Sequence, residues 1–241
     1  MSKARRAPRP RVIANVAVSV DGKIDAVTRE GGGFSSRFDR DRMDELRARA
    51  DALVVGARTI RAEDPPLRVR DPSRRHQRAS AGRHEDLTVV VVSRSGDLPP
   101  GARFLREPAR RRMLAVPAEG GSAETLNGLE RLLHDGMLEI FRAGVDGVDL
   151  EALLGDLAAD DHQTILVEGG GEVIASFLEA DLLDELFVTV CPCLIGGGGA
   201  PTLVDGEGWP LSQRRRLELA EMERVGDELF LHYELVGRAR R

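Results

Sequence analysis

Short runs that are apolar at nearly every position, "DALVVG", "LTVVVV", "RMLAV", "MLEIF", "TILV" and "DELFVTVCP", recur between segments with helical spacing. A strand that alternates can leave one face in water, whereas a continuously apolar run is buried on both faces, which is the condition inside a parallel sheet covered by helices. The intervening segments fit that role. "DRDRMDELRARA" places Met43, Leu46 and Ala50 at core spacing, with Asp39 or Asp41 near its start. "ETLNGLERLLHDG", ending at Gly136, "GVDLEALLGDLAAD" and "GEVIASFLEA" also read as helices. "ARTIRAED" reads as a short helix stopped by Pro65 and Pro66. Residues Ser73 to Asp86 are polar and rich in breakers, so a surface loop is expected there. The chain ends differently: "RRRLELAEMERV" and "DELFLHYELV", parted by Gly226, read as an antiparallel hairpin. The expectation is one α/β domain over residues 11–241, with a mostly parallel sheet and an antiparallel C-terminal hairpin. Residues 1–10, basic and Pro-rich, are expected to form a disordered tail.

The first strand, "RVIANVAVSVDGKI", is unequal on its two faces. Val12, Ala14, Val16, Val18 and Val20 make one apolar face, while Ile13, Asn15, Ala17, Ser19 and Asp21 make a face of small and polar groups. Such a face suits something flat packed against it. At 241 residues with 41% hydrophobic content the chain can build a substantial core. A net charge of −5 supplies no basic field for nucleic acid. No segment approaches the roughly 20 apolar residues of a membrane span, so a cytoplasmic protein is expected. Cys191 and Cys193 have no second cysteine pair or histidine cluster beside them, so no metal site is expected.

Three stretches carry chemistry. "TILVEGGGEVIASFL" joins a strand to a helix through Glu168 and three glycines. Unpaired N–H groups and the macrodipole at such a helix start attract an anion, and glycine lets a phosphate approach the backbone. Glycines for close αβ packing explain the turn equally well, and the spacing is not that of the dinucleotide fingerprint. "VVVVSRSG" ends a strand with Ser93, Arg94 and Ser95, hydroxyls and a guanidinium suited to the 2′-phosphate of NADPH, or to a solvated loop. "GARTIRAEDPPLRVR" brings Thr59, Glu63, Leu67 and Arg70 around a Pro-ended turn, and Arg70 and Arg47 are candidates for a substrate phosphate.

Taken together, "NVAVSVDGKI", "RARADALVVGARTIRAEDPPLRVR", "ILVEGGGEVIASFL" and "DELFVTVCPCLIGGG" resemble the reductase family of riboflavin biosynthesis, in family order and spacing from about Arg11 to the C-terminal hairpin. That resemblance implies a dihydrofolate-reductase-like three-layer sandwich. It implies NADPH-dependent reduction of the ribosyl group of a phosphoribosylamino-pyrimidine to ribityl, commonly by a homodimer. Ala17, Thr59, Glu63, Ser93 and the turn from Gly170 through Gly171, Glu172, Val173 and Ile174 to Ser176 would line the NADPH site. Asn15, Ser35, Arg47, Leu67, Arg70 and Glu168 would line the substrate site. Glu168 either faces the pyrimidine or caps nearby backbone N–H groups. Glu168 and Asp21 are the candidates for acid–base work, and Asp21 in "SVDGK" also fits a plain turn.

The zinc-deaminase signature that many bacterial members carry N-terminally is absent from this sequence, so a stand-alone reductase is expected. Relatives acting after deamination often have Lys where Asn15 stands, which tilts the expectation toward the diamino-pyrimidinone substrate. A reductase of a pterin or other heterocycle, and a non-catalytic NADPH-binding protein, are the competing readings.

Overall fold

The protein is described from a computed structural model over residues 9–29, 31, 33–122, 124–126 and 128–236. Residues 1–8, the bulk of the expected tail, lie outside the described residues. Arg9 and Pro10 do not: the Arg9 guanidinium grips the Asp184 carboxylate, with one contact of 2.8 Å, and Pro10 is buried.

Seven parallel strands, β1 (Arg11–Ser19), β2 (Ala52–Gly56), β3 (Thr88–Val92), β4 (Arg111–Val116), β5 (Glu139–Arg142), β6 (Thr164–Glu168) and β7 (Glu185–Cys191), share one sheet with the antiparallel hairpin β8 (Leu217–Val225) and β9 (Glu228–Leu235). The order is β5-β4-β3-β2-β6-β1-β7-β9-β8. Successive side chains alternate between two cores, as a doubly covered sheet requires. Val12, Ala14, Ala52 and Val54 pack under α5 (Leu150–Ala159) and α6 (Gly171–Glu179). Ile13, Leu53 and Val55 pack under α1 (Arg37–Arg49) and α2 (Ala57–Glu63). The three-layer arrangement expected from the apolar runs is therefore present. Val20 departs from it: the strand ends at Ser19 and Val20 faces solvent.

Three local readings are corrected. Helix α1 starts at Arg37, two residues before the segment expected to form it, because Ser36 caps it, its hydroxyl accepting the N–H groups of Phe38 and Asp39; Asp39 lies in the first turn as expected. The expected loop after Ser73 contains α3 (Pro72–Ser80), with Asp71 as N-cap and Pro72 at its first turn, a start signal that polarity had masked. The helix expected up to Gly136 shrinks to α4 (Glu130–His134), because Gly128 with φ +88° interrupts it.

The hairpin preserves an amphipathic pattern through an irregularity. A register shift between Leu219 and Glu221 keeps Leu217, Leu219 and Met222 opposite Leu235, Tyr233 and Leu231, so the apolar residues stay on one face. Without that shift Met222 would sit among the glutamates. Strand β8 is the sheet's outer edge, and Leu217, Leu219 and Met222 are exposed.

Candidate active site

Because β1 to β7 run in parallel, the ends at Ser19, Gly56, Val92 and Glu168 collect along one sheet edge, where open α/β sheets bind ligands. A cleft of about 410 Å³ opens there, a volume suited to a small molecule or part of a dinucleotide. Of the residues expected to hold a cofactor, Thr59, Glu63, Ser93, Arg94, Gly170, Gly171, Glu172 and Val173 line this one cleft. Ile174 does not: one helical step beyond Val173, it turns fully into the core. Ala17 stays on the β1 face that carries Ile13 and Asn15, outside the lining of the cleft.

The glycine turn makes the edge approachable. Gly169 and Gly170 have φ near +80° and +76°, which only glycine adopts at little cost, and both face Thr59 Oγ1. At Gly171 a Cβ would stand 2.3 Å from the Thr202 carbonyl oxygen, so a side chain there would force the facing backbone to move. Helix α6 has no side-chain cap, leaving its first N–H groups to whatever occupies the cleft.

Cations surround this turn. Arg58 pairs with Glu172 at 2.8 Å across the cleft, and both side chains are about half exposed. Arg61 donates to the Asp97 carbonyl, while Arg94 makes no hydrogen bond or ion pair with any described residue. Arg58 and Arg61 escaped the sequence reading, although their i, i+3 spacing on a short helix was a usable signal. The Ser93 hydroxyl accepts the Gly96 N–H and so shapes the loop that carries Arg94.

On the other side of Glu168 the site is closed. Arg47, 1% exposed, donates from Nε and Nη2 to the two Glu168 carboxylate oxygens at 2.8 and 2.6 Å. Its Nη1 donates to the carbonyls of Pro66 and Arg68 at 2.8 and 3.0 Å. Burial lowers the Arg47 pKa, but the Glu168 charge and hydrogen bond outweigh it and leave it raised. The fork expected to bind a phosphate is thus committed inside the protein. It ties the end of β6, one residue before the glycine turn, to the strap Pro65–Asp71. Glu168 neither caps backbone N–H groups nor lies open; two of its roughly four lone-pair positions remain for a ligand.

The remaining expected residues fall in different places. Asn15 pairs in register with Glu168 across β1 and β6, is 7% exposed, and its amide makes no hydrogen bond to a described residue. Arg70 is exposed; its backbone N–H is fixed by the Asp44 carboxylate at 2.6 Å, and its guanidinium makes one long contact to the Arg40 carbonyl. Leu67 is buried in the core under α1, and Ser35 directly precedes the α1 cap.

Asp21 is a brace. Its carboxylate accepts from the Ser19 hydroxyl and from the N–H groups of Ile195 and Gly196 at 2.6, 3.1 and 2.7 Å. These bonds, the Ser19 hydroxyl first, hold its pKa down at about 2, so it carries no proton to donate near neutrality. Cys191 is similarly inert: burial first, then the Glu228 and Asp39 charges, push its thiol up to about 12. Among the described residues no cluster of three His, Cys, Asp or Glu could hold a metal, and no helix is long and apolar enough to cross a membrane.

Known proteins resemble this chain over nearly its whole length. The 2,5-diamino-6-ribosylamino-4(3H)-pyrimidinone 5′-phosphate reductase of Archaeoglobus fulgidus is 33% identical over 219 residues, covering 91% of this chain and 95% of that protein. The enzyme of the same name from Methanothermobacter thermautotrophicus is 34% identical, covering 95% of this chain and 100% of that one. The crystal structure of a pyrimidine reductase-like protein from Corynebacterium diphtheriae superposes with a TM-score of 0.80 at 22% identity, covering 95% of this chain and 93% of its own, which shows the shared fold. Residues 10–231 match the RibD C-terminal domain family, and the chain belongs to that family.

Proposed function

We propose that the chain is an NADPH-dependent reductase converting the ribosyl group of 2,5-diamino-6-ribosylamino-4(3H)-pyrimidinone 5′-phosphate to ribityl, working in the cytoplasm as a homodimer. The observation that carries the substrate side is the pair Asn15 and Glu168, neighbours in register at the ligand edge. The Asn15 amide makes no hydrogen bond to a described residue, so its donor and acceptor are available to a heterocycle with donors and acceptors on one edge. Glu168 accepts pyrimidine N–H groups with the lone pairs Arg47 leaves open, and Arg70 takes the 5′-phosphate at the exposed end of the strap. The names of the Archaeoglobus and Methanothermobacter relatives support the diamino-pyrimidinone over its deaminated form.

The cofactor fits the residues present. The cleft combines backbone N–H groups at a glycine turn with guanidiniums, the donor set that dinucleotide phosphates require. Bound NADPH supplies the hydride; the protein positions it and excludes water. Gly170 and Gly171 admit the phosphates, and Arg58 and Arg94 contact them from the rim. Homodimer formation is supported by the exposed apolar face of β8, an edge strand that a second copy would cover.

The test is NADPH oxidation followed by absorbance, with the diamino-pyrimidinone and its deaminated counterpart offered separately. Turnover of the first establishes the reading. Turnover only of the deaminated compound reverses the substrate choice, and turnover only of a pterin removes the phosphate-reading role from Arg70.

A further inference from the structure

Helix α3 has no place in the chemistry described so far, yet it carries a buried arginine. Arg78 is 3% exposed and reaches no carboxylate by hydrogen bond or ion pair among the described residues. Its guanidinium donates to four main-chain carbonyls: His84 at 3.1 Å, Arg47 at 3.2 Å, Ala48 at 2.9 Å and Ala50. Those of residues 47, 48 and 50 belong to the end of α1, where the macrodipole is negative; the Arg47 carbonyl also accepts the Ala50 N–H at 3.2 Å, so Arg78 shares it with the helix cap. A buried cation thus stands where water or a glycine cap usually does.

The same helix is fastened to α1 further along. Arg74, one turn before Arg78, pairs with Asp41 at 2.7 Å and Asp44 at 3.4 Å. Asp44 in turn accepts the backbone N–H groups of Arg70 and Asp71, and Asp71 caps α3. Helix α1, the strap and α3 therefore close into one frame. Arg47 sits at its corner, with its carbonyl held by Arg78 and its side chain holding Glu168, Pro66 and Arg68. None of the groups Arg78 touches lines the cofactor cleft.

We propose that Arg78 is a positioning residue for the reaction: by fixing the last turn of α1 it sets the Arg47 fork against Glu168 and the strap, and so tunes the substrate half of the site independently of the cofactor half. The proposal rests on the reductase reading above. Displacements of about 1 Å in such supporting structure cost on the order of 100-fold in rate.

The experiment compares Arg78→Ala and Arg78→Lys with a control on the opposite layer, Leu157→Ala, whose fully buried side chain lies in the core under α5. Expected for Arg78→Ala is a fall of roughly 10- to 100-fold in kcat/KM for the phosphorylated pyrimidine with an NADPH KM within about twofold of wild type. Lysine keeps the charge but spans fewer carbonyls, so Arg78→Lys recovers part of the loss, while Leu157→Ala lowers the melting temperature without splitting the two KM values. Loss of both substrates' KM together, or the pattern of Leu157→Ala, overturns the proposal and leaves Arg78 a structural cap. Hydrogen exchange on the unliganded wild type and Arg78→Lys decides it if Arg78→Ala does not fold, or if wild type reduces no pyrimidine and the reductase reading itself fails. Faster exchange at residues 67–71 supports the proposal, and exchange confined to residues 48–51 and 76–84 overturns it.

Discussion

Two arginine-lined clefts of similar size lie at opposite edges of the sheet. The one at the strand ends, about 410 Å³, is lined by Arg29, Arg58, Arg61 and Arg94; the one at the strand starts, about 470 Å³, by Arg11, Arg49, Arg74, Arg78 and Arg83. By composition the second is the better anion site. Its guanidiniums, however, are answered by protein: Arg11 by Glu185, Arg74 by Asp41 and Asp44, Arg83 by Asp51, and Arg78 by helix carbonyls. The helix end that reaches it is the carbonyl end of α1, which repels anions, whereas the first cleft receives the N–H end of α6. What separates a binding cleft from a structural seam is which donors remain uncommitted, and the residue types alone do not report that.

Arg47→Ala gives the largest effect, because it breaks the closed side of the ligand edge. Glu168 would be left buried without its partner, a loss of about 3–5 kcal/mol by analogy with other buried pairs. Chemical denaturation should show that loss, and turnover should fall more than about 100-fold. A variant as stable as wild type would mean that the strap and Glu168 do not depend on the fork.

Gly171→Ala tests the open side next. The added Cβ meets the Thr202 carbonyl and the Asp205 carboxylate, so the loop 202–205 must shift, at about 1–3 kcal/mol in stability. NADPH affinity, measured by fluorescence titration, should fall roughly tenfold or more while pyrimidine affinity holds. Equal losses for both ligands would merge the two halves that the Arg47 staple separates.

The apolar runs made the sheet legible, since a strand apolar at every position can only be covered on both faces; β2, β3 and β6 are the cases in point. The glycine turn was legible for a similar reason, because its φ values are a local property. The commitment of Arg47 was not, because Glu168 lies 121 residues away and no local pattern encodes that pairing. Two of the three Asp21 partners, the N–H groups of Ile195 and Gly196, likewise lie 174 and 175 residues on, while the third, Ser19, is local. Helix α3 was missed for a different reason: the Asp71–Pro72 start signal was present, but its arginines belong to the seam with α1 and look from sequence like a solvated loop.

Arg58 offers a smaller and sharper comparison. Its half-exposed pair with Glu172 contributes under about 1 kcal/mol to stability, so Arg58→Ala should unfold at nearly the wild-type temperature. If the guanidinium moves from Glu172 to a cofactor phosphate, its removal raises the NADPH KM by about three- to tenfold with kcat unchanged, and Glu172→Gln lowers it. No change in either variant would place Arg58 with the seam arginines, satisfied by protein.

His162 probes the closed edge by pH, and its effect is the smallest. It is buried at the start of β6, its Nε2 within 2.8 Å of the Thr88 hydroxyl and its Nδ1 near the carbonyls of Leu157 and Asp160. Burial first, then the charge of Arg110, depresses its pKa below the ordinary 6.5. The unfolded chain therefore takes up a proton near pH 6.5 that the folded protein refuses until lower pH. Its contribution is complete above 6.5 and declines as pH falls toward the depressed folded value, with a slope of at most about 1.4 kcal/mol per pH unit. Melting curves from pH 7.5 to 5.5 should show wild type losing more stability than His162→Gln over that interval. NADPH affinity, which the proposal places at the other edge, should follow the same pH course in both proteins. A parallel fall in stability would mean that the ring is already charged in the fold, and the seam would then tolerate an unanswered cation as the ligand cleft does.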